Sequence, residues 1–138
     1  MDLKILPSEL EKLYVHAQQG YPYEVVGILA GNREKQEVQR VQSLVNERAD
    51  SARNRYAVSA LVMMRAEQAV EAEGLEVVGY YHSHPDHPAQ YSDFDREHAL
   101  PNMSYLIVSV VQGKVEDTRC WRLTEDRLSM NLQKLELL

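Results

Sequence analysis

Two histidines and an aspartate lie close together in this sequence at a spacing that suits a metal ion. His82 and His84 are separated by one residue, and Asp95 follows eleven residues after His84. Side chains alternate between the faces of an extended strand, so both imidazoles would point to one side and a single ion would contact both. The segment 85–94 contains two prolines and is long enough to turn back on the strand end. The spacing therefore predicts a metal site with three protein ligands.

The types of these ligands indicate which kind of metal site to expect. Catalytic zinc sites commonly use three protein ligands and leave the fourth position to water, whereas structural zinc sites use four, usually with thiolates. The chain has one cysteine, Cys120, which excludes a thiolate-rich structural site. We therefore expect a catalytic zinc ion held by His82, His84 and Asp95. Cys120 is interpreted as a small buried residue of the strand around Trp121.

Glu24 and Ser92 carry groups that suit the same chemistry. Glu24 opens the apolar segment 25–30, where a charged group is costly unless it has a partner or a task. A carboxylate beside the metal can take a proton from water and pass it to a leaving amine, although an exposed residue at the start of a strand is the simpler interpretation. Ser92 is predicted to be the N-cap of the helix that carries Asp95, with donation to an oxyanion as a compatible second role.

Two further imidazoles, His87 and His98, lie on either side of Asp95 in the sequence. His98 is three residues after Asp95 and would share its helix face. We interpret both as surface groups or groups outside the ligand set, because the open metal position should stay free for water.

Length and composition limit the classes of protein that the chain can be. With 138 residues, 44% of them hydrophobic, it is the size of one domain with its own core. It has no run of about 20 apolar residues that would cross a membrane, and its first residues lack the features of a signal peptide, so we expect a cytoplasmic protein. The net charge is −6 and the basic residues are scattered, which predicts no nucleic-acid partner. The oligomeric state stays open.

The hydrophobic pattern predicts the element order α-β-β-α-β-α-β-β-β. The first helix would begin with a capping box of Ser8 and Glu11, the second would be capped by Ser59, and the third would end before Pro101. The predicted helices are 8–20, 60–73 and 92–100, and the predicted strands are 24–30, 38–45, 75–84, 104–111, 118–123 and 128–137. This order favours an α/β fold with a mixed β-sheet flanked by helices in a single domain. Segment 46–55 is predicted to be a loop, either functional or an ordinary connection.

The complete motif resembles that of the JAMM (MPN+) zinc metalloprotease family. The resemblance rests on Glu24 within Pro-Tyr-Glu-Val-Val-Gly, on His-Ser-His-Pro at 82–85, and on Ser92 and Asp95 within Ser-x-x-Asp. It covers essentially the whole chain, 1–138, and implies the family's fold, a mixed sheet packed between helices and similar to cytidine deaminases. A deaminase itself is disfavoured, because its His-x-Glu and Pro-Cys-x-x-Cys signature is missing.

The resemblance also implies roles and partners. One zinc ion per chain would be bound by His82, His84 and Asp95, with Glu24 as the acid/base that activates water and Ser92 as the oxyanion donor. Family members hydrolyse the peptide or isopeptide bond after the C-terminal Gly-Gly of ubiquitin or a ubiquitin-like protein. This chain is similar to the short bacterial and archaeal members, for which the implied partners are ubiquitin-like sulfur-carrier proteins. Segments 46–55 and 85–91 would form the walls of a groove for such a tail.

Two other functions remain compatible with the sequence. A catalytically silent MPN-type module would bind a partner and support an assembly, although such relatives usually lack at least one metal ligand and this chain keeps all three. A zinc hydrolase acting on small peptides or amides would need no protein partner.

Overall fold

The structure is a computed structural model that describes residues 1–46 and 58–138. Within that part, the chain forms eight strands and three helices. The strands are Leu3–Ile5 (β1), Val26–Asn32 (β2), Glu37–Leu44 (β3), Glu76–Pro85 (β4), Ser104–Val111 (β5), Lys114–Leu123 (β6), Met130–Gln133 (β7) and Leu135–Leu137 (β8). The helices are Pro7–Gly20 (α1), Ala60–Ala72 (α2) and Asp93–His98 (α3).

All eight strands belong to one mixed sheet in the order β7-β6-β5-β4-β2-β3-β1-β8. Strand β4 pairs in parallel with β5 and antiparallel with β2, so it lies at the centre. Alternation along β2 sends Leu29 into the core beside α1, while Ile28 and Ala30 contribute to the core beside α2. The two longer helices therefore cover opposite faces, and the predicted α/β fold with a mixed sheet flanked by helices is confirmed.

Gly79 allows the two central parallel strands to approach each other closely. A β-carbon at this position would lie 1.9 Å from the carbonyl oxygen of Ser104, which is backbone and cannot move aside. The Gly79–Ser104 pair is also the first of seven consecutive residue pairs between β4 and β5. The glycine thus sets the register that carries the following residues of β4, including both histidines, to the sheet end.

The predicted last strand, 128–137, is wrong as a single element. It is divided into β7 and β8, which stand at opposite ends of the sheet order with only Lys134 between them. The carbonyl of Lys134 accepts a hydrogen bond from the backbone of Leu3, and β8 pairs with β1. The sheet therefore curls until its two ends approach each other, an arrangement that depends on non-local pairing and has no signature in the local pattern.

The N-terminal region also differs from the prediction. The sequence analysis did not identify β1, whose three residues are too few to show a period, although Leu3 and Ile5 are fully buried. Ser8 does not cap α1: the N-cap is Leu6 and Pro7 occupies the first helical position, where proline is favoured because its missing N–H needs no partner. The first turn of α1 is connected to β3 by Glu9, whose carboxylate accepts a hydrogen bond from the backbone N–H of Val41.

The other elements keep their predicted type with adjusted ends. Ser59 caps α2 as expected, and its hydroxyl accepts from the backbone of Val62. Helix α3 ends at His98 rather than near Leu100, because the residue before Pro101 is driven out of the helical region. Strand β6 starts at Lys114 instead of Thr118, directly after a tight turn whose two residues both have positive φ. None of the helices formed by the described residues is long and apolar enough to span a membrane; a cytoplasmic location stays a prediction.

Candidate metal centre

The two motif histidines lie at the end of the central strand. His82 pairs with Val26 of β2 on one side and with Ile107 of β5 on the other, and it is 1% exposed. His84 follows two residues later on the same face, and its side chain is 12% exposed. Because both neighbouring strands hold the β4 backbone, the two imidazoles have fixed positions at the boundary between the core and the solvent.

Asp95 reaches the histidines from the first turn of α3. Its backbone N–H donates to the Ser92 hydroxyl at 3.1 Å, and its Oδ2 accepts from the backbone N–H of Ser92 at 2.9 Å. This reciprocal pair is a capping box, and the helix N-terminus favours the negative charge of Asp95. The predicted N-cap role of Ser92 is therefore present, and the cap fixes the orientation of the Asp95 carboxylate.

The side-chain atoms of the three residues converge on one point. Nε2 of His82 is 3.1 Å from Oδ1 of Asp95, Nε2 of His84 is 3.3 Å from Oδ2, and the two Nε2 atoms are 3.2 Å apart. Ligands of a tetrahedral zinc ion, with bonds of about 2.0–2.1 Å, lie about 3.3 Å from one another. Within the described residues, these three form the group that could hold a metal ion, and the contacts between them are close to the ligand–ligand distances of a zinc site.

A backbone contact selects the tautomer of His84 that can bind a metal. Nδ1 of His84 donates to the carbonyl oxygen of Pro88 at 2.9 Å, so the lone pair in the neutral ring lies on Nε2, facing Asp95. Metal-binding histidines usually donate their other ring N–H to such an acceptor. The sequence analysis assigned no role to Pro88, because a backbone acceptor has no signature in residue types.

The electrostatics of the group favour a positive charge at its centre. Burial alone would raise the pKa of Asp95, but the adjacent His82, together with hydrogen bonds from both histidines and the Ser92 backbone, lowers it well below its usual range. Burial lowers the pKa of His84, but this is outweighed by its bonds to Asp95 and the Pro88 carbonyl and by the nearby charges of Asp95 and Glu24, so the net pKa is raised. These contacts favour a positively charged group at the point where the three side chains meet.

Glu24 lies beside the three converging residues, just before β2. It is 5% exposed, it lines the same cavity as His84 and Asp95, and its charge contributes to raising the pKa of His84. The interpretation of Glu24 as an exposed residue at a strand start is therefore wrong. A buried carboxylate facing a cavity is in the right place to exchange protons with a bound substrate.

Two residues that the sequence analysis did not single out hold the backbone around Glu24. The hydroxyl of Ser83 accepts from the backbone N–H of Val25 at 2.9 Å, and the N–H of Ser83 donates to the Val25 carbonyl at 3.1 Å. The side-chain amide of Asn46 donates to the Glu24 carbonyl at 2.9 Å. Ser83 lies between the two histidines, so the strand that carries them also fixes the residue following Glu24.

An open cavity of about 520 Å³ lies over the converging residues. Its walls include Pro85, His87, Pro88, Gln90 and Tyr91 from the loop after β4, together with Ser92, Asp93 and Phe94 at the start of α3. The segment 85–91 thus forms a wall, as the sequence analysis expected. Of the other expected wall, 46–55, only Asn46 lies within the described residues.

The remaining polar candidates are outside the ligand group. His87 and His98 are both exposed; His87 lines the cavity, and Nδ1 of His98 donates to the Phe94 carbonyl of its own helix. Cys120 is fully buried in β6, where burial raises the pKa of its thiol to about 12 and its Sγ contacts Gln133. These placements agree with the interpretation of the two histidines as surface groups outside the ligand set and of Cys120 as a small buried residue of its strand.

Comparison with known proteins places this arrangement in a family. Residues 7–124 match the family model for prokaryotic homologs of the JAB domain. The chain is 38% identical over 98 residues to a probable TtuB-protein conjugate cleaving protease of Thermus thermophilus; the match covers 71% of this chain and 64% of that protein, slightly less than two thirds of its length. It is 32% identical over 112 residues to a desampylase of Haloferax volcanii, covering 78% of this chain and 80% of that protein.

Solved structures show the same fold. A protein of Desulfitobacterium hafniense, known from a solution structure, superposes with a TM-score of 0.83 at 26% identity and covers 99% of this chain and 92% of its own. A JAB1/MPN domain protein from Archaeoglobus fulgidus superposes with a TM-score of 0.63 at 19% identity over 99% of both chains. With the family model matching most of its length, the chain belongs to the JAMM/MPN family as a prokaryotic homolog of the JAB domain.

Proposed function

We propose that this protein is a zinc-dependent metallopeptidase that cleaves a peptide or isopeptide bond at the C-terminus of a ubiquitin-like protein. The proposal takes residues 1–138 as one metallopeptidase domain with one zinc ion per chain. The preferred substrate carries a C-terminal Gly-Gly tail and belongs to the sulfur-carrier class. Both relatives named above support cleavage of a protein conjugate, since one is described as cleaving TtuB-protein conjugates and the other as a desampylase.

One observation carries the proposal: three side chains that can bind a metal converge at the edge of an open cavity, beside a buried carboxylate. His82, His84 and Asp95 converge to within 3.3 Å of one another, and Glu24 lines the cavity together with His84 and Asp95. A catalytically silent relative usually lacks at least one of the metal-binding residues, whereas this chain keeps all three. The open cavity also differs from a structural zinc site, in which protein ligands occupy all four positions.

The chemistry can be divided among the residues present. Zinc, when bound, supplies a Lewis acid that polarises the scissile carbonyl and makes water more acidic. Glu24 takes the proton from the attacking water and delivers it to the leaving amine. Ser92, at the rim of the cavity, donates its hydroxyl proton to the oxyanion while its oxygen still accepts from the Asp95 backbone. The two roles of Ser92 use different parts of one hydroxyl group and are compatible.

The shape of the cavity suits an extended tail with little side chain. Its walls, the loop after β4 on one side and the start of α3 on another, leave it open at the surface. A Gly-Gly sequence can pass close to the metal ligands, and recognition then depends on backbone contacts as in strand addition.

Substitution of the buried carboxylate tests the mechanism. We expect Glu24→Gln to lower kcat by about 10²-fold or more, because proton transfer is lost, while zinc content and KM stay close to wild type. The assay incubates zinc-loaded protein with a ubiquitin-like carrier joined through its Gly-Gly terminus to a lysine, and with a carrier bearing a linear extension. Product masses identify the bond that is cut.

Glu9 provides the matched control for Glu24. It is another carboxylate that is 5% exposed, but it lies on α1, where it binds Lys12 of the same helix and the backbone of Val41 in β3, and it does not line the cavity. Glu9→Gln should lower stability and leave kcat unchanged. Full activity of Glu24→Gln would contradict the mechanism. If the wild-type protein cleaves neither substrate, the proposed function is contradicted.

A pair of substitutions separates the two roles of Ser92. Loss of an N-cap serine to alanine costs about 1 kcal/mol of stability, whereas glycine at the same position costs only a few tenths. We therefore expect Ser92→Ala to be the less stable variant, while both variants lose roughly 10²-fold in kcat because the oxyanion donor is missing. Thermal unfolding and steady-state kinetics measure the two effects. If Ser92→Gly keeps the wild-type kcat, the proposed oxyanion role is contradicted and Ser92 acts only as the N-cap of α3.

The pH dependence of stability should reverse in sign when zinc is added. In the metal-free protein the raised pKa of His84 contributes stability that is complete below its unfolded pKa of about 6.5 and is lost as pH rises through the folded value. Zinc competes with this proton, so its stabilising effect should grow between about pH 6 and 8. Unfolding by urea with and without one equivalent of zinc measures both trends.

Asp95→Asn is the control for this titration. It removes the charge that holds the proton on His84, whereas His16, whose pKa is lowered by burial, titrates in both proteins. The stability difference between wild type and Asp95→Asn should shrink from pH 6 to 8 without zinc, and the variant should respond weakly to zinc. If zinc raises the free energy of unfolding of the wild-type protein equally at pH 6 and pH 8, the assignment of His84 as the group that exchanges a proton for zinc is contradicted.

A further inference from the structure

Asp86 directly follows β4, the strand that carries His82 and His84 (the metal strand). It connects three parts of the chain. Its φ is 58°, a left-handed conformation that aspartate tolerates better than most residues. Its backbone N–H donates to the Val110 carbonyl at 2.8 Å. Its carboxylate accepts from the backbone N–H of Gln112 at 2.9 Å and from the hydroxyl of Tyr21 at 2.7 Å. The residue two positions after His84 is therefore bonded to the β5–β6 turn and to the segment between α1 and β2.

Tyr21 is the first residue after α1 and lies three residues before Glu24. Its ring packs against the buried cluster beneath α1 and lies 3.9 Å from the position that a β-carbon on Gly113 would take. The ring is thus held between the core and the β5–β6 turn, and its hydroxyl is directed to Asp86. The bond is charge-assisted, which makes it shorter and stronger than a bond between neutral groups.

The segment that carries Glu24 is consequently attached to the metal strand at both ends. Tyr21 binds Asp86 at the start of the segment, and Val25 binds Ser83 at its end. The two residues to which the segment is anchored, Ser83 in β4 and Asp86 directly after it, lie within two positions of His84. A change in the attachment at Tyr21 would move Glu24 relative to the imidazoles without altering the three metal ligands.

We propose that Asp86 and Tyr21 form a clamp that positions the Glu24 segment against the metal strand. The clamp acts through Glu24 and touches neither metal nor substrate, so the two residues are positioning residues. The kinetic consequence rests on the proposed function, because it requires that Glu24 transfers protons. Misplacement of a reacting group by about 1 Å can cost on the order of 10²-fold in rate. A smaller displacement of Glu24 would therefore still produce a measurable decrease in kcat.

The test uses Tyr21→Phe, Asp86→Gly and the double variant in the zinc-loaded protein. Tyr21→Phe removes one oxygen, and Asp86→Gly keeps the left-handed backbone while removing both acceptor atoms. We expect each to lower kcat roughly tenfold with KM changed by less than about twofold, and the double variant to lose no more than Asp86→Gly alone. The zinc content should stay the same.

Tyr14→Phe is the matched control. Tyr14 packs against the same buried cluster, and its hydroxyl also makes one side-chain hydrogen bond, 2.8 Å to Oγ1 of Thr118 in β6, two helical turns before Tyr21. Its removal should lower stability about as much as Tyr21→Phe while leaving kcat unchanged. If Asp86→Gly does not fold, Tyr21→Phe and Tyr14→Phe still form a complete comparison.

Amide hydrogen exchange tests the clamp independently of activity. Exchange in the segment 21–25 should speed up in Tyr21→Phe and Asp86→Gly but not in Tyr14→Phe, while β5 exchanges equally in all proteins. If wild type cleaves neither substrate, the proposed function fails and exchange alone decides about the clamp. Unchanged exchange in 21–25, or wild-type kcat in Tyr21→Phe of an active enzyme, would overturn the clamp.

Discussion

The structure depends on a convergence that would be unfavourable without a cation at its centre. Nε2 of His82, Nε2 of His84 and the carboxylate of Asp95 lie within 3.3 Å of one another in a largely buried position. Atoms that carry lone pairs repel at this distance unless a proton or a metal ion lies between them. Sheet pairing on both sides of β4, the capping box of Ser92 and the Pro88 carbonyl all hold these atoms together. The fold thus supplies the free energy that keeps the ligands in place.

The same central strand also determines where Glu24 lies. Its two histidines lie on either side of Ser83, which binds the backbone of Val25, and the residue directly after the strand, Asp86, binds Tyr21. The position of Glu24 is therefore coupled to the position of the two histidines, although 57 residues lie between Glu24 and His82. A displacement of β4 would therefore also shift the segment that carries Glu24.

Local signals in the sequence predicted much of this arrangement. The H-x-H pair on an apolar strand, Ser92 before Asp95, and the helical periods of α1 and α2 depend on residues close together in the chain, and each has a physical signature. Whether Glu24 is buried beside the metal ligands depends on β2 pairing with β4, which residue types alone do not reveal. The same limit explains why β1 was missed and why 128–137 was taken for one strand, since both are stabilised by distant partners.

Zinc K-edge X-ray absorption of the protein loaded with one equivalent of zinc tests the central claim most directly. The account predicts a first shell of nitrogen and oxygen atoms at about 2.0–2.1 Å, with outer-shell scattering from two imidazoles. That imidazole scattering should fall by half in His82→Ala. A shell containing sulfur at about 2.3 Å, or a spectrum without imidazole scattering, would contradict the assignment of His82, His84 and Asp95 as the metal ligands.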